Sequence, residues 1–372
     1  MLPLRRILVT KFSRRSKIIG LLSSSILAVT NDNRTNKDTD HARTIKRVSS
    51  VGSDRSGDDI NHISDLLLLN PRLKRFDLQH NNWKIDRAEN LINALRFNSS
   101  VTHFDIQYNF IKEAALALAD VLELNRSLIH LDLRCCQLSS KSMQTIARRL
   151  ESNQHLKYLN LHDNLIESRE ISSLARMLLK NRRIEELDLG ANHIQDYDVS
   201  VLYPSLCLHP ALRSLDISCN KFGNEAAGII AGMLSGGRNR SKITNLSLRG
   251  NHIYHDGIIL IFKALESNRF LSSLDLAYTY MNDSCLPVML AMLTINRTLL
   301  RLDITRTLIM NAIQKLPPIL EQNPALSFID MRENKLSPPA DLRSPGDDGE
   351  NGNFSTCSVF FSQDDDDDEI FF

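Results

Sequence analysis

One eleven-residue pattern recurs along most of the chain and leaves little choice of fold. In its clearest copy, Ile184–Ile194 (IEELDLGANHI), apolar residues stand first, fourth, sixth and last, with Asn in the ninth place. The opening apolar residue returns at Leu73, Val101, Leu128, Leu156, Ile184, Leu212, Ile243, Leu271, Leu299 and Leu326, at intervals of 28, 27, 28, 28, 28, 31, 28, 28 and 27 residues. A unit of this size cannot bury its own apolar edge. Stacked on like units it builds one continuous core.

Within each copy the leucines alternate, as on a strand with one buried face. Leu187 and Leu189 therefore point inward, while Glu186, Asp188 and Gly190 face the other way. Asn192 turns the chain, its amide taking up backbone groups left where the strand stops. The same slot holds Asn81, Asn109, Cys136, Asn164, Asn220, Asn251, Thr279, Thr307 and Asn334. A helix follows. In Lys112–Glu123, Ala115, Leu118, Ala119 and Leu122 fall on one face. This is the template of a leucine-rich repeat. Parallel strands sit ~4.8 Å apart and packed helices ~8–10 Å, so the spacing predicts a curved α/β solenoid. Strands would line the concave side of this horseshoe and helices the convex side. The 31-residue copy predicts a protruding turn around Gly236–Arg240. Pro317 and Pro318 are expected to interrupt the last helix, and Pro338 and Pro339 to end the tenth repeat.

Three regions follow. Residues 58–337 are the ten-repeat solenoid, opened by a helical cap carrying Ile60, Ile63, Leu66 and Leu67 at helical spacing. Residues 1–57 read as a disordered basic tail, with Arg5, Arg6, Lys11, Arg14, Arg15 and Lys17 before the first acid, Asp32. Residues 338–372 read as a disordered acidic tail ending in Asp364–Glu369. The chain as a whole has 42% hydrophobic and 24% charged residues and a net charge of +1, which argues against a dedicated nucleic-acid binder. No apolar run is long enough for a transmembrane helix. The basic, serine-rich start also resembles a mitochondrial transit peptide; the expectation is a cytoplasmic or nuclear protein. Six cysteines without metal-ligand spacing point to reduced, structural thiols. Sequons at Asn98, Asn125, Asn245, Asn282 and Asn296 are chance matches on this reading, with Asn245 on a packed inner strand.

Three surfaces are candidates for function. Between the inward residues of successive strands lie Asp77, Asp105, Asp132, Asp188, Asp216, Asp275, Asp303 and Asp330, with Asn160 and Ser247 completing the row. Such a ladder would attract a basic partner; alternatively, Asp simply suits this slot and stays solvated. His103 and His130 share a position on adjacent strands, with His80 and His162 near in register, but lack an established ligand geometry, so no metal is assigned. Lys46-Arg47-Val48-Ser49, ahead of the first repeat, is what a basophilic kinase accepts, making Ser49 a candidate phosphorylation site. No nucleophile elbow, P-loop, HExxH or paired-cysteine motif occurs, so neither catalytic residues nor a cofactor are assigned. Gly237–Arg240 (GRNR) offers arginines for a nucleotide phosphate, with a solvated loop as the alternative.

Repeats of ~28 residues with outer helices resemble the ribonuclease-inhibitor-like class, which includes the Ran GTPase-activating protein. The closing strands LSLRGNHI, LDLAYTYM, LDITRTLI and IDMRENKL, the lengthened repeat before them, Thr307 in a turn slot and Arg332-Glu333-Asn334 also resemble the protein phosphatase 1 regulatory subunit 37 family. That resemblance implies a non-catalytic regulatory or inhibitory subunit that docks on the protein phosphatase 1 catalytic subunit through Lys46, Arg47 and Val48. Ser50 stands where the family's docking motif has Phe. Losing a buried Phe removes ~1.5–3 kcal/mol, roughly 10- to 100-fold in affinity. The wider class implies a small GTPase as the alternative partner, or a generic scaffold.

Overall fold

The computed structural model describes residues 67, 73–80, 85–235, 241–310 and 316–334, of which 85–87 and 317 by backbone alone, together with the backbone of 27–28, 47–50 and 358–360. The chain divides into two units, Met1–Ser142 and Met143–Phe372. Each is an α/β leucine-rich-repeat stack.

In the first unit, β1 (Leu27–Ala28) pairs antiparallel with β2 (Arg47–Ser50), and β2 pairs parallel with β3 (Arg75–Asp77). Strands β4 (His103–Asp105) and β5 (His130–Asp132) continue in parallel, Phe76, Phe104 and Leu131 forming one row. In the second unit, β6 (Tyr158–Asn160), β7 (Glu186–Asp188), β8 (Ser214–Asp216), β9 (Asn245–Ser247), β10 (Ser273–Asp275), β11 (Arg301–Asp303) and β12 (Phe328–Asp330) pair in parallel in chain order. Strand β13 (Ser358–Phe360) lies parallel to β12. Sequence reading expects no order in either tail, yet β2 and β13 lie alongside β3 and β12. Pairing there satisfies backbone groups that a bare sheet edge leaves open.

Helices connect the strands. The predicted Lys112–Glu123 helix begins as a 3₁₀ turn, Lys112–Ala115, and becomes α-helical only over Leu116–Leu124. Its N-cap is Ile111, whose side chain accepts no hydrogen bond, so the first turn tightens instead. Ala115, Leu118, Ala119 and Leu122 are all buried, as the periodicity requires. Among the described residues Pro317 and Pro318 do not interrupt a helix. They open one, Pro317–Gln322, where the missing N–H costs nothing. Of the predicted N-terminal cap, Leu67 is helical and fully buried, while Ile60, Ile63 and Leu66 lie outside the described residues. Gly236–Arg240 and Pro338–Pro339 also lie outside them.

The strand leucines are the core: Leu187 is 2% exposed and Leu159, Leu189 and Leu302 are fully buried. Two buried amides per repeat then close the backbone. The turn-slot Asn192 donates to the carbonyls of Leu161, Leu189 and Gly190 at 3.1, 3.0 and 2.9 Å and accepts from the N–H groups of Asn164 and Ile166. Asn220 and Asn251 repeat the arrangement. Cys136 fills the slot in the first unit with long contacts, 3.4 and 3.5 Å, to the carbonyls of Ile106 and Arg134, and burial raises its thiol pKa far above the ordinary value.

A second row, not recognised in the sequence, sits three residues before most of the repeats begin. Asn181 donates to the carbonyls of Leu150 and Asn153 at 2.6 and 3.2 Å and accepts from the N–H groups of Arg183 and Ile184. Asn98, Asn125, Asn268, Asn296 and Asn323 do likewise. The sequon residues Asn98, Asn125 and Asn296 are thus buried rungs. Asn245 is exposed instead of packed, because it holds the outward first position of β9. His209 is the odd rung. Its Nδ1 accepts from the N–H groups of Ala211 and Leu212, which leaves only the buried Nε2 to act as donor, towards the Asn181 carbonyl and without good hydrogen-bond geometry.

Two stability measurements follow. Leu187→Ala is expected to cost ~2–5 kcal/mol in urea unfolding, through lost transfer energy and an unfilled cavity. His209→Asn is expected to stabilise by about 1 kcal/mol, restoring the amide donor; Asn323-Pro324-Ala325-Leu326 already makes this network with Pro next in sequence. Burial, then the charges of Arg182 and Arg213, push the His209 pKa from 6.5 down to about 4, against the Asn181 carbonyl, which favours the protonated ring. The unfolded chain therefore binds the extra proton, and stability falls as pH drops from 6.5 towards 4. His209→Asn should remove that part of the pH dependence.

Candidate functional site

The aspartate row has a local task that explains its composition. In the first unit, Asp77, Asp105 and Asp132 accept the N–H of the residue two places on, at 3.4, 3.1 and 3.0 Å. In the second, Asn160, Asp188, Asp216, Asp275, Asp303 and Asp330 do the same at 2.8–3.1 Å. The next residue along is always left-handed: His80, Tyr108 and Cys135 in the first unit, Asp163, Ala191, Cys219, Gly250, Tyr278, Arg306 and Glu333 in the second. Left-handed backbone costs an L-residue roughly 1–2 kcal/mol, and the carboxylate's hydrogen bond offsets it. Where Ser247 replaces Asp, its hydroxyl donates sideways to Asp275, and the left-handed position is held by glycine, Gly250.

The row is also an electrostatic object. Burial first, then the charges of Asp132 and Asp77, push the Asp105 pKa from 3.8 up to about 6, against hydrogen bonds from Gln107. Asp216 and Asp275 are raised, mainly by burial. Asp330 is the reverse: burial would raise it, but hydrogen bonds from Arg332 outweigh that and hold it low. Asp188 lies 3.4 Å from His162 Nδ1. The His162 ring fits beside Gly190, where a Cβ would come within 2.6 Å of Nδ1.

His103 and His130 stack with ring centroids 5.1 Å apart, and His80 stacks on Tyr108 at 4.2 Å. Burial, then His103 and Arg75, bring the His130 pKa down to about 4; burial and Arg75 lower that of His103. In both rings the surroundings favour the neutral form. Among the described residues no group of three His, Cys, Asp or Glu is arranged to hold a metal ion.

Sequence reading overlooked the outward surface of the last repeats. Tyr278 lies between two guanidinium groups, Arg249 at 4.2 Å and Arg306 at 5.2 Å from its centroid. Arg306 also pairs with Glu333, Arg332 with Asp330, and Arg301 lies 4.4 Å over Phe328. Tyr254 and Tyr280 stack at 4.6 Å. Tyr254, Tyr278, Tyr280, Leu308 and Met310 are 39–54% exposed. Tyr and Arg are the residue types that dominate protein-binding energy. The signal available in the sequence was the in-register run Tyr278-Thr279-Tyr280 over Arg306-Thr307-Leu308.

Of the predicted docking residues, Arg47 and Val48 lie in β2 with the candidate phosphorylation site Ser49, in register with Arg75, Phe76 and Asp77. Lys46 lies outside the described residues, as do the arginines of Gly237–Arg240 and the acids of Asp364–Glu369. No helix of the described residues is long and apolar enough to cross a membrane.

A family model described as a leucine rich repeat matches residues 124–147 and 209–230. No curated protein matches the chain in sequence. Among solved structures the chain is similar to an internalin from Listeria monocytogenes, with 16% identity over 84% of this chain and 86% of that one and a TM-score of 0.43. It is also similar to actin-binding site 2 of leiomodin-1, with 21% identity over 42% of this chain and 88% of that one and a TM-score of 0.35. Repeat spacing, strand register and the two stretches that match the family model agree on a leucine-rich-repeat fold.

Asp105→Asn should test the row's electrostatics. A carboxyl whose pKa is raised on folding loses stability as pH climbs from 3.8 to about 6. The variant's stability relative to the parent is therefore expected to grow across that window and level off above it, in urea titrations at fixed pH steps.

Proposed function

We propose that this chain is a non-catalytic scaffold that regulates protein phosphatase 1. Lys46, Arg47 and Val48 would dock on the catalytic subunit, and the aspartate row with the Tyr278 surface would supply a second contact. The observation that carries the reading is the extended backbone of Arg47–Ser50. Docking by strand addition requires that conformation, and the segment adopts it next to β3. The exposed tyrosines and arginines of the last repeats support a second contact, and two modest contacts joined by one chain yield useful avidity.

The reading carries a cost. Both edges of β2 are already paired, to β1 and to β3, so docking has to draw the segment off the sheet. With Ser50 in place of Phe, affinity through this segment alone is low.

Capture of the purified phosphatase catalytic subunit on the immobilised chain tests the reading. Val48→Ala is expected to reduce capture by about tenfold, the loss that ~1.5 kcal/mol of apolar burial represents. Unchanged capture would remove the docking segment from the proposal. No capture by the parent chain would remove the phosphatase.

A further inference from the structure

The edge of the first unit sets a serine against the row of carboxylates. Ser49 lies in β2 directly beside Asp77 of β3 and, on the other side, beside Ala28 of β1. Asp105 and Asp132 hold the next positions of the row. The row is already crowded with charge, since Asp77 and Asp132 both disfavour ionisation of Asp105. Arg47 lies beside Arg75 in the same pairing, a second like-charge neighbour. Lys46 and Arg47 precede Ser49 at the spacing a basophilic kinase reads.

We propose that Ser49 is a phosphorylation site and that its phosphate expels β2 from the edge of the sheet. A basophilic protein kinase would transfer the γ-phosphoryl group of ATP to the Ser49 hydroxyl oxygen. The new P–O bond forms as the bond between the γ-phosphorus and the β–γ bridging oxygen breaks. ADP leaves, and the hydroxyl proton passes to the kinase's base and then to solvent. The product adds about −1.5 to −2 charge at the position beside Asp77.

Like charges directly opposite on neighbouring strands destabilise the pairing. Arg75 offers the phosphate an attraction, but it stands two residues away along β3, ~8 Å off against the ~4.8 Å strand spacing to the position directly beside it. Off the sheet, the same phosphate is solvated and screened. The kinase needs an unpaired, extended segment, so it acts on the open form. The phosphate then holds that form open by its unequal free energy in the two states. Release uncovers the backbone edge of β3. This holds whether or not the freed segment meets a phosphatase.

Hydrogen exchange of the full chain, read by mass spectrometry at 47–50 and 75–77, tests the proposal. The forms compared are the unmodified chain, the chain treated with a basophilic kinase and ATP, kinase-treated Ser49→Ala, and the kinase-treated double variant Asp77→Asn with Asp105→Asn. Asparagine keeps the turn intact, as Asn160 already does in its own repeat at 2.9 Å. Phosphate is expected at Ser49, with both segments exchanging roughly five-fold faster, the population change that about 1 kcal/mol of cross-strand repulsion produces. The double variant should stay near the unmodified rate once phosphorylated, and Ser49→Ala should not respond. Absence of phosphate at Ser49, or equal or slower exchange after phosphorylation, would overturn the proposal. So would the same acceleration in the double variant.

Discussion

The buried side-chain amide is the interaction on which each stack rests. Every repeat breaks its backbone twice, once where the strand ends and once where the helix ends. Both breaks leave carbonyl and N–H groups inside the protein, away from water, where an unpaired group costs ~1–3 kcal/mol. Asparagine carries two donors and an acceptor on a short stem, so one residue serves both sides of a break. Asn192 and Asn181 show the two versions, each reaching back to carbonyls of the preceding repeat. The leucines supply the driving force for stacking. The amides fix the distance at which one repeat follows the next.

Exceptions among the rungs show how the scheme degrades. Thr279 keeps a single short donor bond, 2.6 Å to the Leu276 carbonyl. Cys136 offers weak sulfur contacts, and His209, committed as an acceptor at Nδ1, has a single ring nitrogen left as donor where asparagine has two N–H groups. All three stay buried because the leucines on either side hold them there.

Much of this was legible in the sequence, and the misses have physical causes. Period and alternation identified the strands, the inward leucines and the turn-slot asparagines, because those depend on local geometry alone. The second asparagine row was equally visible, three residues ahead of most opening apolar residues, but Asn98, Asn125 and Asn296 looked like scattered sequons. For the aspartates the sequence left two readings open, a charged ladder or a slot that Asp simply suits; the turn that each of them supports accounts for their occurrence there. The 3₁₀ start at Lys112 reflects a missing cap at Ile111, and Pro317 opens a helix because prolines suit first turns. The pairing of β2 with β3 spans 28 residues, Arg47 to Arg75, the same interval as the repeats; it escaped notice because the sixth place of the pattern there holds Ser50 instead of an apolar residue. The Tyr278 surface emerges only when successive repeats are laid side by side.

The left-handed turn after each aspartate has one more consequence. Its strain is borne by the neighbouring carboxylate, so the side chain at the turn itself contributes little to folding. Histidine, tyrosine, cysteine, aspartate, alanine, arginine and glutamate all occupy that position. The stack therefore works as a pegboard: holes at fixed spacing, with pegs of almost any chemistry. What such a surface recognises can be rewritten peg by peg while the board stays the same.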